Sequence, residues 1–217
     1  MIAAWIKDLM QLTDEDWTRY AFLSEPLVNR IPPEMRNQYS RETTLNSIEL
    51  AQEIRQKYSN ISTEYLVEQL NINFVEKLAQ EGGGFSMFAS FEEPNTITVY
   101  KDVSDSTDKL IDDSDLRETI GNIRTIDLLF SHELYHFLEF TRTDVYSTQQ
   151  KIMVWQIGPL KNLSRIKCLG EIGAMSFSRE LLKLTYSPNV FNVLMLYAQN
   201  PVSAERLYLK ILEVKKG

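Results

Sequence analysis

The sequence is poor in the residue types that build several common kinds of site. Its 217 residues include two histidines, one cysteine and eight glycines. A single cysteine excludes an intramolecular disulfide and is typical of a protein from a reducing compartment. No segment resembles a glycine-rich phosphate-binding fingerprint, so the sequence gives no sign of a nucleotide cofactor.

Basic residues and long apolar runs are also scarce. The formal net charge is −7, and a binder of nucleic acid needs a basic surface for its phosphate contacts. No stretch approaches the roughly eighteen apolar residues of a membrane span. The apolar run at Met1–Ile6 is too short for a signal peptide. We therefore expect a cytoplasmic protein that binds neither nucleic acid directly nor membrane.

Both histidines lie in one motif, Ser131-His132-Glu133-Leu134-Tyr135-His136. Residues four apart share a helix face, so His132 and His136 can bind one metal ion. Glu133 would then lie beside that ion, where it can accept a proton from metal-bound water. The pattern predicts a zinc hydrolase with Glu133 as the catalytic base. The alternative is a chance occurrence of this short pattern on a solvated helix.

Apolar residues at helical spacing predict a helix that contains this motif. Asp115 and Glu118 resemble a capping pair, and the predicted helix runs from there past Leu138. It is apolar on most sides, so we expect it to be buried. A buried pair of imidazoles needs partners for its ring nitrogens, and a metal ion would supply them.

A third ligand must be a carboxylate or Cys168, because no other histidine remains. Glu171 is the favoured candidate, since it begins a second helical segment whose small residues would allow two helices to approach closely. The alternative is that Glu171 is an exposed helix carboxylate. Glu139 lies roughly 10 Å along the helix from His132, so we expect it to support a ligand or face solvent. Cys168 is expected to be a small buried apolar residue.

The remaining chain predicts a mostly helical α+β fold with two parts. Residues 1–38 are expected to form a helical N-terminal extension, and residues 39–217 the main domain. Further helices are predicted from Ser40 to about Tyr58, over Thr63–Leu70, from the Glu171 segment to about Ser187, and on both sides of Asn200-Pro201.

A small, mainly antiparallel sheet is predicted to pack on the histidine-bearing helix. Its strands are expected to begin at Asn71 and to cover 85–91 and 96–101, with a hairpin loop at 92–95. The strand 96–101 could lie at the rim and pair with an extended substrate. The glycines at 82–84 are expected to form a bend, and the acidic segment 102–115 a solvated loop.

The order of these elements resembles the ImmA/IrrE family of metallopeptidases over roughly residues 45–213. The matching segments are Leu50-Ala51-Gln52-Glu53-Ile54, His132-Glu133-Leu134-Tyr135-His136, Glu171-Ile172-Gly173-Ala174 with Phe177, and Val202-Ser203-Ala204 with Arg206-Leu207. The resemblance implies a zincin-like fold of the thermolysin-like gluzincin type, with zinc on His132, His136 and Glu171. It also implies action on helix-turn-helix transcriptional repressors encoded nearby.

The sequence departs from that family in three places. Tyr135 stands where the family usually has Gly, the acidic segment is longer than usual, and residues 1–38 have no counterpart. The first functional hypothesis is a zinc-dependent endopeptidase, with Tyr100, Tyr146 or Arg165 as donor to the oxyanion. The second is a non-catalytic zinc-binding module that sequesters a protein partner. The third is a structural domain whose motif is accidental.

Overall fold

The computed structural model describes residues 1–78 and 88–216. The predicted bend at Gly82-Gly83-Gly84 lies outside these residues. The protein is 63% helical with a small sheet, which confirms the predicted α+β class. Within the described ranges, no helix is both long enough and apolar enough to cross a membrane.

Helices and strands follow one another in a mixed order. The helices are α1 (Ile2–Met10), α2 (Asp14–Phe22), α3 (Pro33–Lys57), α4 (Thr63–Gln69), α5 (Lys101–Asp113), α6 (Arg117–Ile120), α7 (Thr125–Thr141), α8 (Tyr146–Gln149), α9 (Cys168–Leu181), α10 (Val190–Gln199) and α11 (Pro201–Glu213). The strands are β1 (Asn73–Lys77), β2 (Ala89–Glu92), β3 (Thr96–Tyr100), β4 (Lys151–Ile157) and β5 (Leu160–Arg165). Short 3-10 turns occupy Val28–Arg30 and Val214–Lys216.

The histidine-bearing helix is α7, and it begins later than the sequence predicts. The predicted start at Asp115 is wrong, because only the single turn of α6 forms there and Gly121, with φ +82°, ends it. Asp108 of α5 instead accepts hydrogen bonds from the backbone N–H and the hydroxyl of Thr125, at 3.1 and 2.8 Å. The start of α7 is therefore capped by a residue from another helix.

The segment predicted as an acidic loop is helix α5. Its buried face consists of Val103, Ser104, Thr107 and Ile111, and the hydroxyl of Thr107 donates to the carbonyl of Val103 at 2.7 Å. The sequence did not predict this helix because two of the four residues on its buried face, Ser104 and Thr107, are polar. The long helix α3 likewise begins at Pro33 rather than Ser40, since proline is tolerated in the first turn of a helix. The predicted boundary at residue 38 lies within α3.

A three-stranded sheet in the order β1-β3-β2 packs on α7. The β2–β3 hairpin is antiparallel, as predicted, but β1 pairs with β3 in parallel, so this sheet is mixed rather than mainly antiparallel. The central position of β3 contradicts the prediction that strand 96–101 lies at the rim. The strand next to the histidines is the edge strand β2, whose Phe91 ring contacts Phe137 of α7 at a centroid distance of 6.0 Å.

A second hairpin, β4–β5, follows α8 and was not predicted from the sequence. Helix α9 then ends at Leu181, earlier than the predicted end near Ser187. Lys183 has φ +56°, and the N–H of Leu184 donates to the carbonyl of Arg179 at 2.9 Å. This is the hydrogen-bond pattern of a Schellman motif, which closes a helix.

Residues 1–38 pack on the rest of the chain through both of their helices. Ile6 and Leu9 of α1 are fully buried in the main core. Trp5 stacks on Tyr208 of α11 at a centroid distance of 4.8 Å. Helix α2 contacts α3 and α9, so this segment lies against the helix that carries Glu171.

Helices α7 and α9 approach closely, as the small residues of the Glu171 segment predict. The ring of Tyr135 is fully buried and lies over Gly173, where an added Cβ would be 2.1 Å from the tyrosine hydroxyl. Gly170 faces the same helix, and a Cβ there would lie 3.3 Å from the carboxylate of Glu139. The bulky ring of Tyr135 is thus accommodated by a glycine on the neighbouring helix.

Replacing Gly173 with Ala should destabilise the protein, because the new methyl group overlaps the buried ring of Tyr135. Overpacking of this kind typically costs about 1–3 kcal/mol, which would lower Tm by several degrees in thermal unfolding. Gly170→Ala is the matched control, since it adds the same methyl group one turn away, where the nearest atoms are 3.3 Å distant and need to shift by only a few tenths of an ångström. A Gly173→Ala protein as stable as the Gly170→Ala protein would contradict the assigned packing.

Candidate metal centre

The two histidines lie one turn apart on the same face of α7. Their ring centroids are 5.1 Å apart, and both side chains are mostly buried, with 16% of His132 and 21% of His136 exposed. They reach this position because α7 is anchored on its other faces by core residues such as Phe130, Leu134 and Tyr135. Burial of the apolar faces of α7 therefore fixes the orientation of the helix, and both imidazoles lie on the remaining face.

Glu171, in the first turn of α9, faces both histidines. Its Oε2 is 3.4 Å from Nε2 of His132, and its Oε1 is 3.7 Å from Nε2 of His136. One ligand atom from each of the three residues lies within 4.8 Å of the others, so this group could hold a metal ion. Tetrahedral zinc with bonds of about 2.0–2.1 Å separates its ligand atoms by about 3.3 Å. The spacing fits such an ion after small side-chain movements.

Glu139 supports His136 rather than joining the three ligand-type residues. Its Oε2 is 2.7 Å from Nδ1 of His136, and its Oε1 accepts a hydrogen bond from the hydroxyl of Ser147. Tyr135 contacts that hydroxyl at 3.1 Å. A proton on Nδ1 that is donated to Glu139 leaves Nε2 with a free lone pair. Carboxylates in this position orient metal-binding histidines in many proteins.

Electrostatic interactions among these groups favour an ionised Glu171. The contact with His132, 3.4 Å from Nε2 to Oε2, is the largest cause that lowers the pKa of Glu171, to about 2. The Glu171 side chain is 59% exposed, so solvent also favours its charged form. Burial lowers the pKa of His136, but the hydrogen bond to Glu139 and the nearby carboxylates raise it more strongly. In both cases the histidines and carboxylates compensate one another's charge. A cation would take over the same role for the carboxylates.

Glu133 lies beside this group, with 7% of its surface exposed. Burial raises the pKa of its carboxyl group and outweighs His132, His136 and a hydrogen bond from the backbone N–H of Phe91, which lower it. A buried carboxylate of raised pKa next to an open cavity is the type of group that serves as a general base.

A cavity of about 420 Å³ opens in front of the three ligand-type residues. Its walls come from β2, α7, α9 and α10, and they include Ser90, Glu133, Met175 and Asn192. Neither Tyr100, Tyr146 nor Arg165, the predicted oxyanion donors, lines this cavity. Asn192 was missed because α10 shows no polar motif in the sequence, and only folding brings it to the site.

Cys168 is buried, as predicted, and is not a member of the three-residue group. Its backbone N–H donates to the carboxylate of Glu25 at 3.1 Å. Burial and this nearby carboxylate raise the pKa of the thiol, which opposes the thiolate form that binds metals.

Comparisons of this chain with protein-family models, with curated proteins and with solved structures returned no match. The fold and the site define an α+β protein with a candidate metal centre of two histidines and one glutamate on facing helices. Membership of the ImmA/IrrE family stays a prediction from the quoted motifs.

Proposed function

We propose that this protein is a zinc-dependent endopeptidase. The observation that carries the proposal is the convergence of His132, His136 and Glu171 beside the buried carboxylate of Glu133, at the wall of an open cavity. Two imidazoles and one carboxylate are a ligand set of catalytic zinc, which keeps its fourth position for water or substrate. A site that served structure alone would have four protein ligands and no use for Glu133.

The chemistry divides between the metal and the chain. Zinc bound at this site would act as a Lewis acid, polarising the peptide carbonyl and lowering the pKa of water. Glu133 accepts the proton of the attacking water and returns it to the leaving amine. The raised pKa of Glu133 suits it to both transfers, because an effective general base has a pKa near the working pH.

Asn192 is proposed as the side-chain donor to the oxyanion. Among the described residues that line the cavity, it is the only one with a side-chain amide, and it lies on α10. Its Nδ2 is held 3.3 Å from Oδ1 of Asn189, which limits its rotation. An amide N–H placed beforehand stabilises developing negative charge without reorganisation during the reaction.

Asn192→Ala should lower kcat by about 10²–10³-fold, the usual effect of losing one oxyanion donor. KM and the metal content should change little, because the substrate carbonyl gains full negative charge only in the transition state. Asn37→Ala is the control, since Asn37 is also a helix asparagine but is exposed on α3 and does not line the metal-site cavity. Equal kcat values for wild type and Asn192→Ala would exclude this role.

A peptide substrate is proposed because, among the described strands, β2 lies at the edge of its sheet and also forms a wall of the cavity. Phe88, Ala89, Ser90 and Phe91 all line it, and an extended peptide can add to a free edge through backbone hydrogen bonds. Together with the family resemblance, this supports regulatory cleavage of a helix-turn-helix repressor, in a linker that unfolds locally. The single cysteine supports a cytoplasmic setting for this reaction.

The test combines metal analysis with cleavage. Protein purified without an affinity tag should contain about one zinc per chain. Mixed with repressors encoded beside its gene, with zinc or manganese added, it should produce fragments of one repressor that vanish with a chelator. A stable complex without cleavage under any metal would instead indicate a zinc-binding module that sequesters its partner.

A further inference from the structure

A second cavity of about 640 Å³ adjoins the metal centre. It lies between α2, α3 and α9, and it shares Glu171, Met175 and Asn192 with the cavity in front of the histidines. The two cavities therefore meet along one face of α9. The second cavity is therefore adjacent to the metal centre.

The charged residues that line this second cavity are paired with one another. Arg179 lies 3.0 Å from Asp14 of α2, and Lys183 forms an ion pair with Glu180. Because these charges are paired, they do not favour a charged ligand. Glu171, where the two cavities adjoin, is the charged residue of the lining outside these pairs.

Four hydroxyl groups of the lining are also partnered within the wall. Thr18 and Ser40 lie 2.6 Å apart, and Thr44 and Ser176 lie 3.2 Å apart. The rest of the lining includes apolar and aromatic side chains that a ligand can contact. These side chains are Trp17, Tyr20, Ile48, Ile172, Met175 and Leu184.

We propose that this second cavity is the specificity subsite of the peptidase and accepts a bulky apolar side chain of the substrate near the scissile bond. The proposal rests on the proposed peptidase function. It gives residues 1–38 a role, because Trp17, Tyr20 and Ala21 of α2 form one wall. A cavity of this size is typical of ligand sites in proteins, and an apolar side chain that packs against Trp17, Ile172 and Leu184 is removed from water, which favours binding.

The test fills the cavity from two sides. Ala21→Trp adds an indole from α2, and Ile48→Trp adds bulk from α3, each at a half-buried position of the wall. Leu23→Trp is the matched control, because Leu23 ends the same helix but is 56% exposed and lines neither cavity. All variants should keep the wild-type metal content and Tm, which separates a filled cavity from a damaged fold.

The probe is a pool of random octapeptides. Cleaved products should carry a bulky apolar residue at one fixed position relative to the cut. Both filling variants should reduce that preference on the order of tenfold, in line with the energy of a few methylene groups, while Leu23→Trp leaves it unchanged. An unchanged preference in Ala21→Trp and Ile48→Trp would overturn the subsite.

A binding measurement separates this proposal from the peptidase function itself. The same pool is selected for binding to metal-loaded Glu133→Gln protein, with and without Ala21→Trp. One outcome is that wild type cleaves no peptide, while the peptides bound by Glu133→Gln are rich in bulky apolar residues and this enrichment disappears when Ala21→Trp is added. The cavity would then be a binding site without hydrolysis. If neither cleavage nor apolar enrichment is seen, both proposals are wrong.

Discussion

Glu133→Gln is expected to abolish hydrolysis while the protein keeps its metal and its fold. Gln is nearly the same size as Glu and can retain the contact with the backbone N–H of Phe91, but it cannot accept a proton from water. General acid–base catalysis contributes about 10²–10⁴-fold, so kcat should fall by at least that range. Cleavage of a peptide from the octapeptide pool, metal content and Tm together measure the effect.

A surface substitution of the same chemistry serves as the control. Glu49 is exposed on α3 and lines neither cavity, so Glu49→Gln removes one negative charge without touching the site. It should hydrolyse the peptide at the wild-type rate. If Glu133→Gln also keeps that rate with full metal content, Glu133 is not the general base, and the peptidase proposal loses its central residue.

Glu171→Ala is expected to lose most of the bound metal. The substitution leaves two imidazoles on α7 and removes the only carboxylate of the three-residue group. The loss of affinity should exceed the 10–100-fold loss that is typical when a residue supporting a ligand is removed. Metal content after dialysis against a graded series of chelator concentrations measures this affinity for each variant.

Glu139→Ala provides the comparison, because Glu139 is a glutamate at the same site that contacts His136 at Nδ1, the ring nitrogen away from Glu171. Its removal frees Nδ1 of His136 but leaves all three candidate ligands, so metal affinity should fall by about 10–100-fold. Equal losses in the two variants, or a larger loss in Glu139→Ala, would show that the ligand assignment is wrong.

Local spacing explains why the centre of the site was predictable from the sequence. His132 and His136 share a face because any helix brings residues four apart together, whatever surrounds it. The small residues at 170 and 173 predicted the close approach of α9 to α7, and both glycines do face α7. The shared face and the small residues depend only on residues close together in the sequence, so both can be predicted without knowing the fold.

Contacts distant in sequence explain the errors. The start of α7 depends on Asp108, a residue of α5, and the sequence contains no local sign of that cap. The rim of the sheet was assigned to strand 96–101, but the parallel pairing of β1 with β3 places that strand in the centre. Strand order depends on how the whole chain packs, so it cannot be predicted from the residue pattern within one strand.

The sequence by itself determined the α+β class, the two-histidine motif and the segment that carries Glu171, because these follow from composition and helical periodicity. Only the tertiary structure decided that Asn192 lines the cavity in front of the histidines and that α2 forms a wall of the cavity beside it. The physical reason is that burial and packing join side chains more than 100 residues apart, such as Asp14 and Arg179. Local sequence patterns do not encode such pairings.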